Sequence, residues 1–335
     1  MKKKGIVILV QILLFSLLLV SCSQSETRRE NQSGKEIIYM YNSGGKYAIV
    51  NNKNSIEKKI VSSGFITAYY FDNRHDLYIV TGASSNGFTF KVKGIDFDTW
   101  KEKVIEGDFE QPVSLYSDGH YLYVLDAREG IKGMLHIFDL NTKEEEYRYS
   151  FAGFASLVKK YKNTLFILSD DLQKNQHYMY VFEEFNIKDV SVPKIFKLKA
   201  GLATDLIGNG NEVYIALQSN AEMSGKGNLI AVYHIGKENV TYINLKNPSP
   251  YKLILTEDGQ LLSANYDFVT QAAFNAERID IQTKGTEVLD FKTNSIHLVG
   301  DKIAYFNPKS KAIILDGEPV LHTKVQNITD FFILP

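Results

Sequence analysis

The strongest constraint on this chain is a short phrase that recurs along it. Residues 117–140 (SDGHYLYVLDAREGIKGMLHIFDL) read as a tight turn, a brief apolar strand, a polar loop and a second strand. In Ser117-Asp118-Gly119 the Ser and Asp side chains bond nearby backbone and Gly accepts positive φ, which is turn chemistry. The LYVL of 122–125 is too short for a helix and rich in β-formers. Apolar on both faces, it needs a covering layer on each side.

The same grammar returns. Asn73-Arg74-His75-Asp76 precedes LYIV at 77–80, Lys162-Asn163 precedes LFIL at 165–168, and Gly208-Asn209-Gly210-Asn211 precedes VYIAL at 213–217. Glu257-Asp258-Gly259 precedes 261–266, and Gly300-Asp301 precedes IAYF at 303–306. A spacing of roughly 40–50 residues is that of propeller blades or arrays. Each copy also has an apolar segment before its turn (65–71, 113–116, 253–256) and a fourth after the pair (240–245, 287–291). Four short strands per repeat predict an all-β fold, a β-propeller. Abundant Tyr and Phe, 20 of each, against 7 Pro and no long helical periodicity agree with that class.

Six full blades are expected at 65–107, 112–151, 154–198, 202–245, 250–291 and 295–324. Residues 37–61 supply only three strands, and 329–334 (TDFFIL) is one strand left over. Pairing these leftovers gives a ring of about seven blades, closed by the C-terminal strand. An open ring would leave an unpaired sheet edge and an uncovered apolar face. Residues 119–126 (GHYLYVLD) resemble the repeat core of YVTN-type and NHL-type propellers, which implies a broad family of ligand-binding or scaffold proteins. The WD signature is absent, since the chain has 1 Trp, Trp100. Kelch double glycines, the Ser-x-Asp box of sialidase-like blades and the tryptophan docking motif of quinoprotein dehydrogenases are also missing.

The N-terminus is of another kind. Lys2-Lys3-Lys4 followed by the apolar run 6–20 reads as an export signal, too short for a membrane span of about 20 apolar residues. Leu19-Val20-Ser21-Cys22 resembles the lipobox of bacterial lipoproteins, and Cys22 is the chain's single cysteine. That resemblance implies cleavage before Cys22, a diacylglycerol thioether and a palmitate-type acyl chain on it, an anchor strong enough because it carries more than one chain. The expected organisation is a signal peptide at 1–21, a polar lipid-anchored tether at 22–35 and the propeller at 36–335, on the outer face of a membrane. Without another thiol, packing alone must stabilise the exported part. The 38 basic residues less the 3 in the signal leave 35, against 39 acidic ones, a formal net charge of −4. No Lys/Arg cluster suggests nucleic acid.

In a propeller the loops from second to third strand open on the same face as the connections between blades. Here those loops (82–87, 126–133, 169–176, 218–227, 265–275) are longer than the turns of the opposite face, and long loops are commonly functional. Their polar residues, Asp126 and Arg128, Asp170 and Asp171, and Asp267, either cap turns or form a cup for a sugar, peptide or cation. Innermost strands start at that face and line the channel, where Thr67, Ser114, Ser156, Asp205, Lys252, His297 and Asp330 fall. The 7 histidines include no pair at metal-ligand spacing, and Asp96-Phe97-Asp98 alone lacks the oxygens that calcium takes. No Gly-x-Ser-x-Gly elbow or P-loop is present.

No cofactor is therefore expected. The leading expectation is a monomeric, lipid-anchored binding module for a protein or carbohydrate, acting through its long-loop face. Its rivals are a propeller enzyme (lactonase, lyase or glycan-acting hydrolase) with a metal at the channel mouth, and an envelope assembly factor.

Overall fold

In the computed structural model, the described residues are 35–334, apart from 54–55, 73–75, 84–88, 98, 130–131 and 326. The export signal, Cys22 and nearly all of the tether lie outside them, as do His75 and Asp98. The described chain forms seven antiparallel sheets of four strands in a row, the sixth with an added two-residue strand, Ala272–Ala273. It is an all-β propeller of seven blades, with no helix among the described residues. In the second blade Phe65–Phe71, Asp76–Ala83, Thr89–Asp96 and Lys101–Ile105 follow one another from the axis outward.

The first blade is assembled from both ends of the chain. Asp330–Leu334 is its inner strand and pairs antiparallel with Glu36–Ser43, placing Ile37 opposite Ile333 and Tyr39 opposite Phe331. Lys46–Lys53 and Ile56–Ser63 complete it.

What holds the ring is alternation on the second strands. All eight residues of Thr164–Asp171 are buried. Leu165 and Ile167 pack against Tyr123 and Leu125 of the third blade, while Phe166 and Leu168 pack against Val213, Ile215 and Leu217 of the fifth. Successive side chains point to opposite faces of a strand, so one segment feeds two cores. Ile38 and Met40 likewise join the second blade while Ile37 and Tyr39 join the seventh. Each of the seven joints between neighbouring blades has its own apolar cluster. The joint between the sixth and seventh is the thinnest, built on Ile254, Leu262, Ala264 and Ile296.

Innermost strands of blades two to six carry a β-bulge at the same place, skipping Thr67, Val113, Ser156, Thr204 and Tyr251 in turn. A bulge leaves one residue unpaired and bends the strand, which re-aims the side chains after it.

Strands extend further towards the loops than the sequence suggests. Tyr121–Arg128, Thr164–Asp171 and Leu261–Asp267 keep pairing through residues expected in loops, with Asp126 opposite Met134 and Asp170 opposite His177. Polar side chains there find hydrogen-bond partners, so the ladder continues past the apolar stretch. The described second-to-third loops shrink accordingly to 172–175, 220–225 and 268–271, and in the first blade the turn is only Gly44-Gly45. The opposite face has one long exception, residues 183–193 of the fourth blade.

Phe331 is fully buried in the core between blades one and seven. Phe331→Ala should cost about 3–5 kcal/mol in chemical denaturation. Deleting residues 329–335 should open the edge of Glu36–Ser43 and give aggregation by light scattering. A truncated chain that melts like the full one would show that strand exchange is not what holds the ring.

Candidate functional site

Contacts between blades that are not neighbours can only be made across the axis, and they locate the site. Lys252 of the sixth blade donates to Asp330 of the first, and its ammonium sits 5.9 Å from the ring centre of Tyr69 on the second. His297 of the seventh blade places Nε2 2.8 Å from Asp330 Oδ1 and 3.0 Å from Lys252 Nζ. Ser295 Oγ also donates to Asp330, whose carboxylate is fully buried. Lys159 of the fourth blade reaches Asp205 of the fifth at 2.8 Å. Tyr70 meets Tyr116 of the third blade edge-on, at 5.0 Å between rings. Side chains from all seven blades thus gather at the channel.

Local structure explains why they point there. Asp205 and Lys252 directly follow bulges in their strands. Asp205 Oδ2 accepts from the backbone N–H of Leu253 at 2.9 Å, and Ser114 Oγ accepts from that of Val158 at 3.1 Å. Each pairs an inner-strand donor of the next blade with a partner.

Electrostatics sharpen the picture. Burial pushes the Asp330 carboxyl up, but the Lys252 charge and the hydrogen bonds from His297 and Lys252 outweigh it and hold the group well below the usual carboxylate range. His297 is shifted down by burial and then by the Lys252 charge. A neutral His297 therefore carries its proton on Nε2 and donates it to Asp330, which leaves Nδ1 with a free lone pair. Burial, followed by the Asp330 charge, pushes the Tyr69 phenol well up, so it stays a neutral donor.

The remaining sequence-predicted residues lie at the rim and are engaged within the protein. Asp126 is fully buried and accepts from Gln111 N at 2.7 Å, Glu110 N at 3.1 Å and Arg128 Nε at 3.0 Å, fastening the entry to its own blade. Asp170 accepts from Leu202 N at 3.2 Å and lies 2.7 Å from His177 Nδ1; His177 Nε2 is 2.8 Å from Ala221 O. Burial lowers the His177 pKa, but the hydrogen bonds to Asp170 and Ala221 outweigh it and raise it, and the ring, with an acceptor at each nitrogen, ties blade four to blade five. Asp171 receives Gln173 N and Lys174 N, both at 3.1 Å. Asp267 receives Val269 N at 2.9 Å and Thr270 Oγ1 at 2.6 Å, with Lys226 at 3.1 Å. Burial raises the Asp267 carboxyl, yet these bonds bring it down to about 2.

These pinned turns hold apolar tips in solvent. Leu172 follows Asp171 and is 51% exposed, and Phe268 and Val269 follow Asp267 at 44% and 76%. Among the described residues no group of three or more His, Cys, Asp or Glu side chains is placed to hold a metal ion. Sequence reasoning placed Asp205, Lys252, His297 and Asp330 near the channel but missed Lys159, Tyr69 and the tips Leu172 and Val269. The available signal was a charge or phenol inside an inner strand, as in FASLVKKY and FITAYYF.

No family model matches the chain, and no curated protein matches its sequence. Its fold is similar to solved propellers. One, described as a candidate 6-phosphogluconolactonase from Bacteroides fragilis, shares 12% identity over 93% of this chain and 100% of its own, with a TM-score of 0.59. The periplasmic gluconolactonase of Pseudomonas aeruginosa shares 13% over 90% of this chain and 99% of its own, with a TM-score of 0.58. A similar candidate from Bacteroides uniformis shares 10% over 90% and 100%, with a TM-score of 0.57. At such identities the likeness establishes the seven-bladed architecture.

The axial cluster makes stability depend on pH. His297 sits below its unfolded pKa, so the native state resists its protonation and stability falls as pH drops below about 6.5. Asp330 is depressed, so its contribution is present above about 3.9 and lost as pH falls further. His177 is raised and acts oppositely: its contribution is complete below about 6.5 and lost as pH rises through its folded value. Urea midpoints across pH should show His297→Gln flattening the acid limb between about pH 6.5 and 5. An unchanged limb would mean that another group titrates. Asp330→Asn, which strands Lys252 without its counterion, should cost on the order of 3 kcal/mol.

Proposed function

We propose that the chain is a lipid-anchored, extracytoplasmic binding module, tethered through Cys22, whose long-loop face contacts a protein partner. The supporting observation is the set of apolar tips, Leu172, Phe268 and Val269, presented on turns that Asp171 and Asp267 pin in place. Apolar side chains on a backbone already pinned in a turn lose less entropy on docking than those on a free loop, which favours recognition. The lipobox resemblance and the YVTN/NHL-like repeat support this reading of an anchored envelope propeller.

Metabolic labelling with a palmitate analogue should mark the wild type and not Cys22→Ala, which should move to the soluble fraction. Cross-linking on intact cells should lose its adducts in a Leu172→Ser, Phe268→Ser, Val269→Ser variant. Val192→Ser with Ile195→Ser, on the opposite half of blade four, should keep them. Equal adducts from both variants would remove the long-loop face as the contact surface.

A second reading, a lactone hydrolase, is favoured by the axial cluster and by similarity to propellers described as gluconolactonases. His297 Nδ1 would take a proton from the attacking water while Asp330 orients the ring through Nε2–H. The same proton would return to the ring oxygen as the acyl C–O bond breaks. Purified protein should then hydrolyse glucono-δ-lactone above the spontaneous rate, with His297→Gln lowering kcat by about 100-fold or more. Equal rates with and without the protein would dispose of this reading.

A further inference from the structure

The face opposite the long loops carries a cavity of about 710 Å³ between blades three and four. It exists because of the one long connection on that side, residues 183–193. The segment is firmly folded: Phe185 is 9% exposed, packs edge-on to Tyr123 at 6.2 Å, and donates its backbone N–H to Asn163 O at 2.7 Å. An antiparallel bridge between Asn186 and Asp189 closes its tip. Residues 184–188 therefore overhang the cleft that the neighbouring blades leave between them.

The floor is polar and preorganised. Asp118 Oδ1 accepts from His120 N at 3.1 Å and Tyr121 N at 2.9 Å, and Oδ2 accepts from Tyr123 Oη at 2.9 Å and Lys160 Nζ at 3.0 Å. Burial raises the Asp118 carboxyl, but these bonds outweigh it and lower its pKa, so it is ionised at neutral pH. Lys160 keeps two N–H groups for a ligand. One wall is the half-buried ring of Tyr121, set edge-on to His120 at 4.4 Å between rings. At the rim, Glu184 and Lys188 make no ion pair with the described residues.

We infer that this cavity is a second binding site, for a short neutral oligosaccharide. Lining charges cancel, Asp118 against Lys160 and Glu184 against Lys188, so no field of one sign attracts a phosphate or a nucleic acid. A charged floor repels an acyl chain. Apolar C–H faces beside hydroxyls are what a sugar offers, and an aromatic wall beside fixed donors and acceptors complements both. The volume lies within the range of small-ligand pockets, about 300–1,000 Å³.

The test is titration of the propeller with maltotriose, cellotriose and chitotriose, read by calorimetry and by tyrosine-ring NMR shifts, with trialanine as the peptide probe. At least one sugar should bind saturably, and Tyr121→Ala should raise its Kd about tenfold or more at a temperature where the variant is fully folded. Glu184→Ala, an exposed change that spares the fold, should weaken the same sugar. Val61→Ser, an exposed change on the outer strand of blade one, should leave that binding as in the wild type. No saturable sugar, a preference for trialanine, wild-type affinity in both groove variants, or loss of binding in Val61→Ser would each overturn the assignment.

Discussion

Every blade of this protein is too thin to have an inside of its own. A single sheet cannot shelter the two apolar faces of a strand such as Thr164–Asp171, so each blade depends on a neighbour at both sides. That requirement propagates until the ring closes, because any free end would expose an apolar face and an unpaired edge. The exchange between Asp330–Leu334 and Glu36–Ser43 satisfies both needs together. One hydrogen-bonded pair of strands at the chain ends therefore holds every other interface in place.

Polar groups follow from the same geometry. A strand at the channel has an edge with no further strand to bond, and side chains substitute for the missing ladder: Ser114 for Val158, Asp205 for Leu253. The Lys252–Asp330–His297 cluster spans blades six, seven and one, where the apolar joint is thinnest. A buried ion pair is weak evidence for net stability, since desolvation offsets much of the attraction. Its worth lies in specificity, because only the correctly seated C-terminal strand brings Asp330 to Lys252 and His297.

The two faces of the disc divide their labour differently. At the long-loop face, the buried carboxylates of Asp126 and Asp170 fasten blades, and those of Asp171 and Asp267 hold turns, leaving apolar tips as the outward chemistry. At the other face a single elongated connection creates the concavity beside Asp118 and Lys160. Acidic residues that a sequence offers as a ligand cup thus serve mainly as internal fasteners, a common fate for Asp beside free backbone N–H groups.

By itself the sequence determined the class of fold, the order of the strands and the way the ring closes. These are written locally: a turn, a strand apolar on both faces, and a leftover strand at each end admit few arrangements. Tertiary structure decided which polar residues meet. Tyr69, Lys252 and Asp330 stand far apart in the chain and come together only across the axis, at a distance set by the number and tilt of the blades. Likewise nothing in the stretch 183–193 announces a cavity, since a cavity belongs to the space between two blades. Periodicity along a chain encodes what each residue faces, whereas convergence depends on the closed ring as a whole.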